Sequence, residues 1–349
     1  MRRFACYKYW YRKKTSGMKI DFVIPWVDGD DPAWRKEKYK YMGIDEPDAG
    51  AERYRDMGIL KYWFRAVETY APWVNQIHFI TWGHLPEWLN TECPKLHIVN
   101  HKDYIPEKYL PTFSSHPIEL NIHRIPGLSE HFVYFNDDMF LNNIVTPDFF
   151  FKNGKPCDFM RCMHIYFPSI DDLYTHVVAN DVVETNRHHS YIKTFLRHPG
   201  KVVNWKYGVG ICLRNLLKLG NVGVFSGFEN HHLPSPYVKQ TFLDVWSATP
   251  KLMDQVSQNR FRTPFDVSQS LFRYWQLASG RFYPVSPTSR GKYLRIENQN
   301  DHIEAALNDP KVKMVCINDT PYEVDFERAM EQIVAAYEKK LPNKSSYEK

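Results

Sequence analysis

The sequence predicts an α/β fold: a mostly parallel sheet with helices on both faces and a mainly helical insertion at about 150–220. Apolar stretches of strand length recur at Ile20–Ile24, Ile77–Thr81, Leu96–Val99, Phe132–Phe135 and Val312–Ile317. Amphipathic helical spacing falls between them, as in Leu60, Trp63, Phe64 and Val67, and strand alternating with helix is the signature of a parallel sheet. The apolar stretches also lack in–out alternation, as expected of strands covered on both sides. From Phe149 to Gly220 short helical stretches rich in His, Arg and Asn replace this pattern, and Val222–Phe225 reads as a further strand.

Asp21 is anomalous in the first strand, because an ionised carboxylate among apolar residues is costly unless donors or a cation receive it. Asp28, Asp30 and Asp31 follow as an acidic turn, and 36–56 is a polar stretch suited to a loop over a ligand. Ser115 is an expected N-cap and Pro117 suits a first turn. Ile118, Ile122 and Ile125 then mark the buried face of a helix that carries Glu119 and His123 together, and Pro126-Gly127 ends it. The next strand runs into Asn136-Asp137-Asp138, and Ile317-Asn318-Asp319 repeats that ending. Ligands of open α/β sheets bind at the carboxyl ends of strands, so Asp138 and Asp319 are expected side by side there. His231 and His232 are adjacent, so at most one is expected to serve such a site. His188 and His189 read as surface residues, and the closing helix gives way to a frayed tail over 341–349.

The 349 residues suffice for one large domain, expected at 19–340. The net charge of +5 is concentrated in residues 1–18, which hold Arg2, Arg3, Lys8, Arg12, Lys13 and Lys14 without an acid; the remainder balances 39 basic against 40 acidic residues. A nucleic-acid footprint on the folded body is therefore not expected. The basic, aromatic leader suits peripheral contact with an anionic membrane. No apolar run approaches the ~20 residues of a membrane span, and the six scattered cysteines show no metal spacing, which fits a cytoplasmic protein. Neither a G-x-G-x-x-G fingerprint nor a Walker A loop is present.

Paired carboxylates suit Mg²⁺ or Mn²⁺ bound to substrate phosphates, with an Arg on the phosphoryl oxygens and a His or carboxylate taking a proton from an attacking hydroxyl. Three blocks carry a resemblance: Ile20–Gly29; Arg53–Asp56 with Tyr70–Val74; and Leu110–Ser115 through Asn136–Asp138. They resemble conserved regions of the Stealth family of sugar-1-phosphate transferases, and His231–Pro234 to Arg262 and Cys316–Asp319 look like its later regions. That family is similar to the α/β subunit of lysosomal-enzyme N-acetylglucosamine-1-phosphotransferase. The resemblance implies a Rossmann-like, GT-A-like domain that moves a hexose-1-phosphate, such as GlcNAc-1-phosphate, from a UDP-sugar to an acceptor glycan, lipid-linked or free, in capsular or cell-surface polysaccharide synthesis. UMP leaves. It picks out Asp21, Glu119, Asp138, His232, Arg262 and Asp319. Of these, Asp138 and Asp319 are expected on the metal, Arg262 on the phosphoryl oxygens, His232 as the base, and Asp21 and Glu119 as base or supports. The competing readings are a metal-dependent glycosyltransferase releasing UDP and a non-catalytic glycan-binding module, the latter suggested by 15% aromatic residues.

Overall fold

The computed structural model describes residues 17–44, 57–220, 223–319 and 324–349. The basic leader before residue 17 and the Arg53–Asp56 block lie outside them. The strands are β1 (Ile20–Pro25), β2 (Ile77–Thr81), β3 (Leu96–Asn100), β4 (His131–Tyr134), β5 (Met139–Leu141), β6 (Phe151–Lys152), β7 (Lys155–Asp158), β8 (Ser235–Val238), β9 (Tyr283–Pro284), β10 (Lys292–Arg295) and β11 (Met314–Asn318). Helices of six residues or more are α1 (Pro32–Met42), α2 (Leu60–Tyr70), α3 (Ser115–Leu120), α4 (Leu173–His188), α5 (Tyr191–Arg197), α6 (Val209–Leu217), α7 (Lys239–Ala248), α8 (Pro250–Ser257), α9 (Ser270–Ala278), α10 (Asp301–Asn308) and α11 (Phe326–Lys340).

The main sheet runs β3-β2-β1-β4-β8, parallel except for β8. Its strands are apolar on both faces because each face is covered. Phe22, Ile24, Phe79 and Val133 pack with Trp63, Phe64 and Val67 of α2, whereas Val23, Ile80, Phe132 and Tyr134 pack with Phe242, Val256 and Leu271 on the other side. A second sheet, β10-β11-β5, receives the chain just after β4, with β11 antiparallel to β5. The insertion has its own small core, in which Val182, Tyr191, Val202 and Phe225 meet Tyr274 and Leu277 of α9.

Three local expectations are corrected. Ser114, not Ser115, caps α3, and the helix breaks at Asn121 into a 3-10 turn over Ile122–Arg124. The 223–225 stretch is not a strand; Phe225 N–H and C=O bond the Asn186 side-chain amide instead. His188 is exposed and His189 half-buried, in keeping with the surface expectation, although both rings lie against Trp275 with centroids 5.0 and 4.6 Å away. The tail over 341–349 is docked rather than frayed: Tyr347 is buried against Phe64, and Glu348 forms a two-point ion pair with Arg65 at 2.8 and 2.9 Å. Those anchors lie on α2, far away in sequence, so the tail's own composition carries no trace of them.

Candidate active site

The chain leaves β4 through Asn136 and Asp137 and turns into β5. Asp137 is exposed, whereas Asp138 is buried under β11. The backbone fixes this: the Ile317 N–H donates to the Asp138 carbonyl at 2.8 Å. Cys316 and Asn318, two apart on β11, then share the face that meets the carboxylate. The Cys316 thiol and the Asn318 amide reach Asp138 Oδ2 at 3.1 and 2.9 Å, and His232 Nε2 approaches the same oxygen at 3.2 Å. Asp138 Oδ1 is buried and has no hydrogen-bond partner among the described residues. Burial pushes the Asp138 carboxyl up, but His232, Asn318 and Cys316 together hold it below its ordinary value. For His232, burial works downward and Asp138 outweighs it, leaving the imidazole above its ordinary value. Cys316 is pushed far up by burial and by Asp138, so its sulfur stays a protonated donor.

A carboxylate only accepts, so the hydrogen on the His232–Asp138 contact belongs to Nε2 and the half-exposed ring keeps Nδ1 as its basic nitrogen. Its neighbour points away. His231 is half-buried with its ring beside Phe159, and desolvation and Arg273 push its pKa down to about 3. His232 adopts a left-handed backbone, φ 41°, which is uncommon for a non-glycine residue. The loop is gripped from behind: Arg273 donates to the Glu229 carbonyl at 2.7 Å, and its guanidinium is paired with Asp158 at 2.7 and 2.9 Å. Tyr293 sets its ring edge-on to His232 at 5.9 Å, while its hydroxyl donates to Asn318 Oδ1 at 2.9 Å.

Four expected residues, Glu119, Arg262, Asp319 and Asp21, lie outside this cluster. Glu119 is buried close enough to bear electrostatically on His232; its oxygens accept from Tyr134 OH at 3.2 Å and the Gln269 N–H at 3.3 Å. Arg262 is exposed and donates to Ser115 Oγ at 2.9 Å, four residues from Glu119. Asp319 follows Asn318 and is half-buried, outside the Asp138–His232–Cys316 trio whose ligand atoms gather within 4.8 Å. Asp21 sits at the other end of the sheet, at 0% exposure, accepting from Asn75 (2.7 Å), His78 (3.1 Å) and the Ser129 N–H (2.7 Å). Both oxygens are claimed by donors there, and Asp21 braces β1, β2 and the turn before β4. His123, pushed down to about 3 mainly by burial, packs on Phe242 and Trp246.

Two family models match the chain: Stealth protein conserved region 1 over residues 18–46 and conserved region 2 over 53–158. Similarity extends well beyond them. The capsular polysaccharide phosphotransferase WcwK of Streptococcus pneumoniae is 43% identical over 95% of this chain and 99% of the relative. The chain belongs to the Stealth family of phosphotransferases. Other Stealth relatives are the receptor polysaccharide phosphotransferase WefC of Streptococcus gordonii, 40% identical over 95% of this chain and 99% of its own, and the exopolysaccharide phosphotransferase cps2G of Lactiplantibacillus plantarum, 40% identical over 96% and 98%. The chain is thus a transferase. A crystal structure of the galactosyltransferase LgtC with donor and acceptor sugar analogues aligns at a TM-score of 0.36 and 11% identity, over 93% of this chain and 98% of that one.

The Stealth site also contains residues that motif reading did not single out. Cys316 and Asn318 share a strand face because they are two apart on β11, but a period-2 reading backward from Asp319 selects Ile317 and Val315 and so misses them. Arg273, Asp158 and Tyr293 had no comparable signal; they lie on three separate elements, distant from His232 in sequence.

Proposed function

We propose that this Stealth protein transfers a hexose-1-phosphate from a UDP-sugar to a hydroxyl of an acceptor glycan, forming a phosphodiester and releasing UMP. The observation that carries the reading is the division of labour on Asp138: Oδ2 is tied to His232, Asn318 and Cys316, while buried Oδ1 is left unclaimed by the described residues. A lone buried carboxylate oxygen fits a hard cation, and Asp138 with Asp319 would hold Mg²⁺ or Mn²⁺. When bound, that ion supplies charge neutralisation for the diphosphate. His232 and a thiol-form Cys316 do not suit such an ion as ligands, so they are assigned to orienting Asp138 and to proton transfer.

His232 Nδ1 takes the proton of the acceptor hydroxyl as its oxygen attacks the β-phosphorus, and Asp138 stabilises the imidazolium that forms. Arg262, steadied by Ser115, holds the non-bridging phosphoryl oxygens as the bond to the UMP oxygen breaks. Glu119, locked by Tyr134 and Gln269, supports the positive charge on His232 from within the fold. Asp21 supports the sheet that carries these groups.

Incubating the full chain with a panel of UDP-sugars, Mg²⁺ and acceptor glycan, and resolving nucleotides by chromatography, tests the assignment. UMP with a phosphodiester product is expected. Release of UDP would instead identify attack on the sugar carbon, the alternative reading. Chelation with EDTA is expected to abolish turnover and added Mg²⁺ or Mn²⁺ to restore it; undiminished turnover in EDTA would remove the metal from the mechanism.

A further inference from the structure

In the helical insertion the usual polarity of a surface helix is reversed. The residue that α6 buries is Asn215, at 0% exposure; its amide donates to the carbonyls of Met160 (2.9 Å) and Val202 (2.7 Å) and accepts from the Cys162 N–H at 3.1 Å. Val209, Leu213, Leu216 and Leu217 share the opposite face by helical periodicity, and the outermost two, Val209 and Leu217, are 76% and 80% exposed. Trp205, in the turn just before α6, is 85% exposed. Ile192 and Leu196 are exposed one turn apart on α5, which is joined to α6 by the Tyr191 hydroxyl donating to the Asn215 carbonyl at 2.7 Å. A contiguous exposed apolar surface of this kind marks an interaction site.

Charge selects the occupant. Residues 185–228 contain seven Lys or Arg and no Asp or Glu, in a chain whose totals are 45 and 40. Lys193, Arg197 and Arg214 are exposed beside the leucines. A second copy of this face would set like charges against each other, whereas an anionic bilayer offers both an apolar layer for the leucines and phosphates for the cations. Tryptophan at the rim suits the headgroup level.

We infer that α5, the Trp205 turn and α6 form a docking surface for an anionic lipid bilayer, with Trp205, Leu213 and Leu217 entering the headgroup boundary and Lys193, Arg197 and Arg214 on lipid phosphates. The surface is tied to the active-site loop, because Arg161, adjacent to the Cys162 held by Asn215, pairs with Glu229 at 3.1 Å. The inference does not depend on the phosphoryl-transfer reading, since its readout is binding alone.

The test is cosedimentation of the full chain with vesicles of phosphatidylglycerol and phosphatidylcholine, against phosphatidylcholine alone. Binding to the anionic vesicles that weakens with salt is expected. Leu213→Glu with Leu217→Glu, and separately Lys193→Glu with Arg197→Glu, are each expected to weaken it about tenfold or more, with circular dichroism and thermal midpoint unchanged because these side chains are exposed. Wild-type protein that ignores anionic vesicles would overturn the inference. So would full binding in both variants, with loss only when Arg2, Arg3 and Lys8 are changed to Gln, which would assign the contact to the leader. A dimer in light scattering that Leu213→Glu with Leu217→Glu converts to monomer would overturn it too, by identifying a second copy as the occupant.

Discussion

Asp137 and Asp138 are adjacent and chemically identical, yet one is exposed and the other is enclosed by β11 and His232. Asp138→Asn keeps the shape and removes the charge, and is expected to lower kcat/KM by ~10²-fold or more, the scale of one preorganised electrostatic group. Asp137→Asn is expected to leave it within about threefold, the range of an exposed charge. Steady-state kinetics on the two variants separates them. Asn318→Ala removes one donor to Asp138 and one acceptor for Tyr293, and a loss of about 3- to 10-fold in kcat/KM is expected, the worth of one net hydrogen bond. A larger loss than that of Asp138→Asn would mean that Asn318 touches substrate itself. The pair of carboxylates was legible in the sequence; which of them is enclosed was not, because enclosure comes from a strand some 180 positions later.

The loop from Glu229 to His232 keeps an unusual backbone because other elements hold it. Asp158 at the end of β7 and Arg273 on α9 form a buried pair that anchors the Glu229 carbonyl. Asp158→Asn strands a buried guanidinium, and a loss of ~3–5 kcal/mol in urea unfolding is expected. Its pH dependence has a definite sign. Burial pushes the Asp158 carboxyl up, but Arg273 pulls it further down, so its folded pKa lies below the unfolded value of about 3.9. An acid with a depressed pKa contributes stability that is present above that unfolded value and lost as pH falls through the folded one. Acid titration of wild-type stability should therefore be steeper below about pH 4 than that of Asp158→Asn; parallel curves would show that the pair contributes no such term. Asp158 falls in a stretch whose pattern predicts helices rather than β7, and its meeting with Arg273 requires the insertion to fold back on α9.

Across the whole molecule, the carboxyl-terminal tail closes the layer over α2. Arg65 donates to both Glu348 oxygens and to the Leu341 carbonyl, and Tyr347 packs on Phe64. Deleting residues 342–349 removes Glu348 and the Tyr347 cover on Phe64 and leaves Arg65 only its longer 3.6 Å pair with half-exposed Glu338, and a loss of about 3 kcal/mol or more is expected, measured by urea unfolding. An unchanged midpoint would mean that the tail only rests on the surface. The tail read as frayed because Lys, Asn, Ser and Glu dominate it; a polar segment can still dock when one aromatic ring and one carboxylate find distant partners.

The alternation of apolar and amphipathic segments determined the α/β class, the covered sheet and the carboxyl-end location of Asp138, because strand and helix periods are local properties of the chain. Tertiary structure decided which donors surround Asp138, that Asp21 is consumed in bracing the sheet, and that α6 faces its leucines outward. Those outcomes depend on contacts between segments separated by tens to hundreds of residues, and composition and period carry no information about which segments meet.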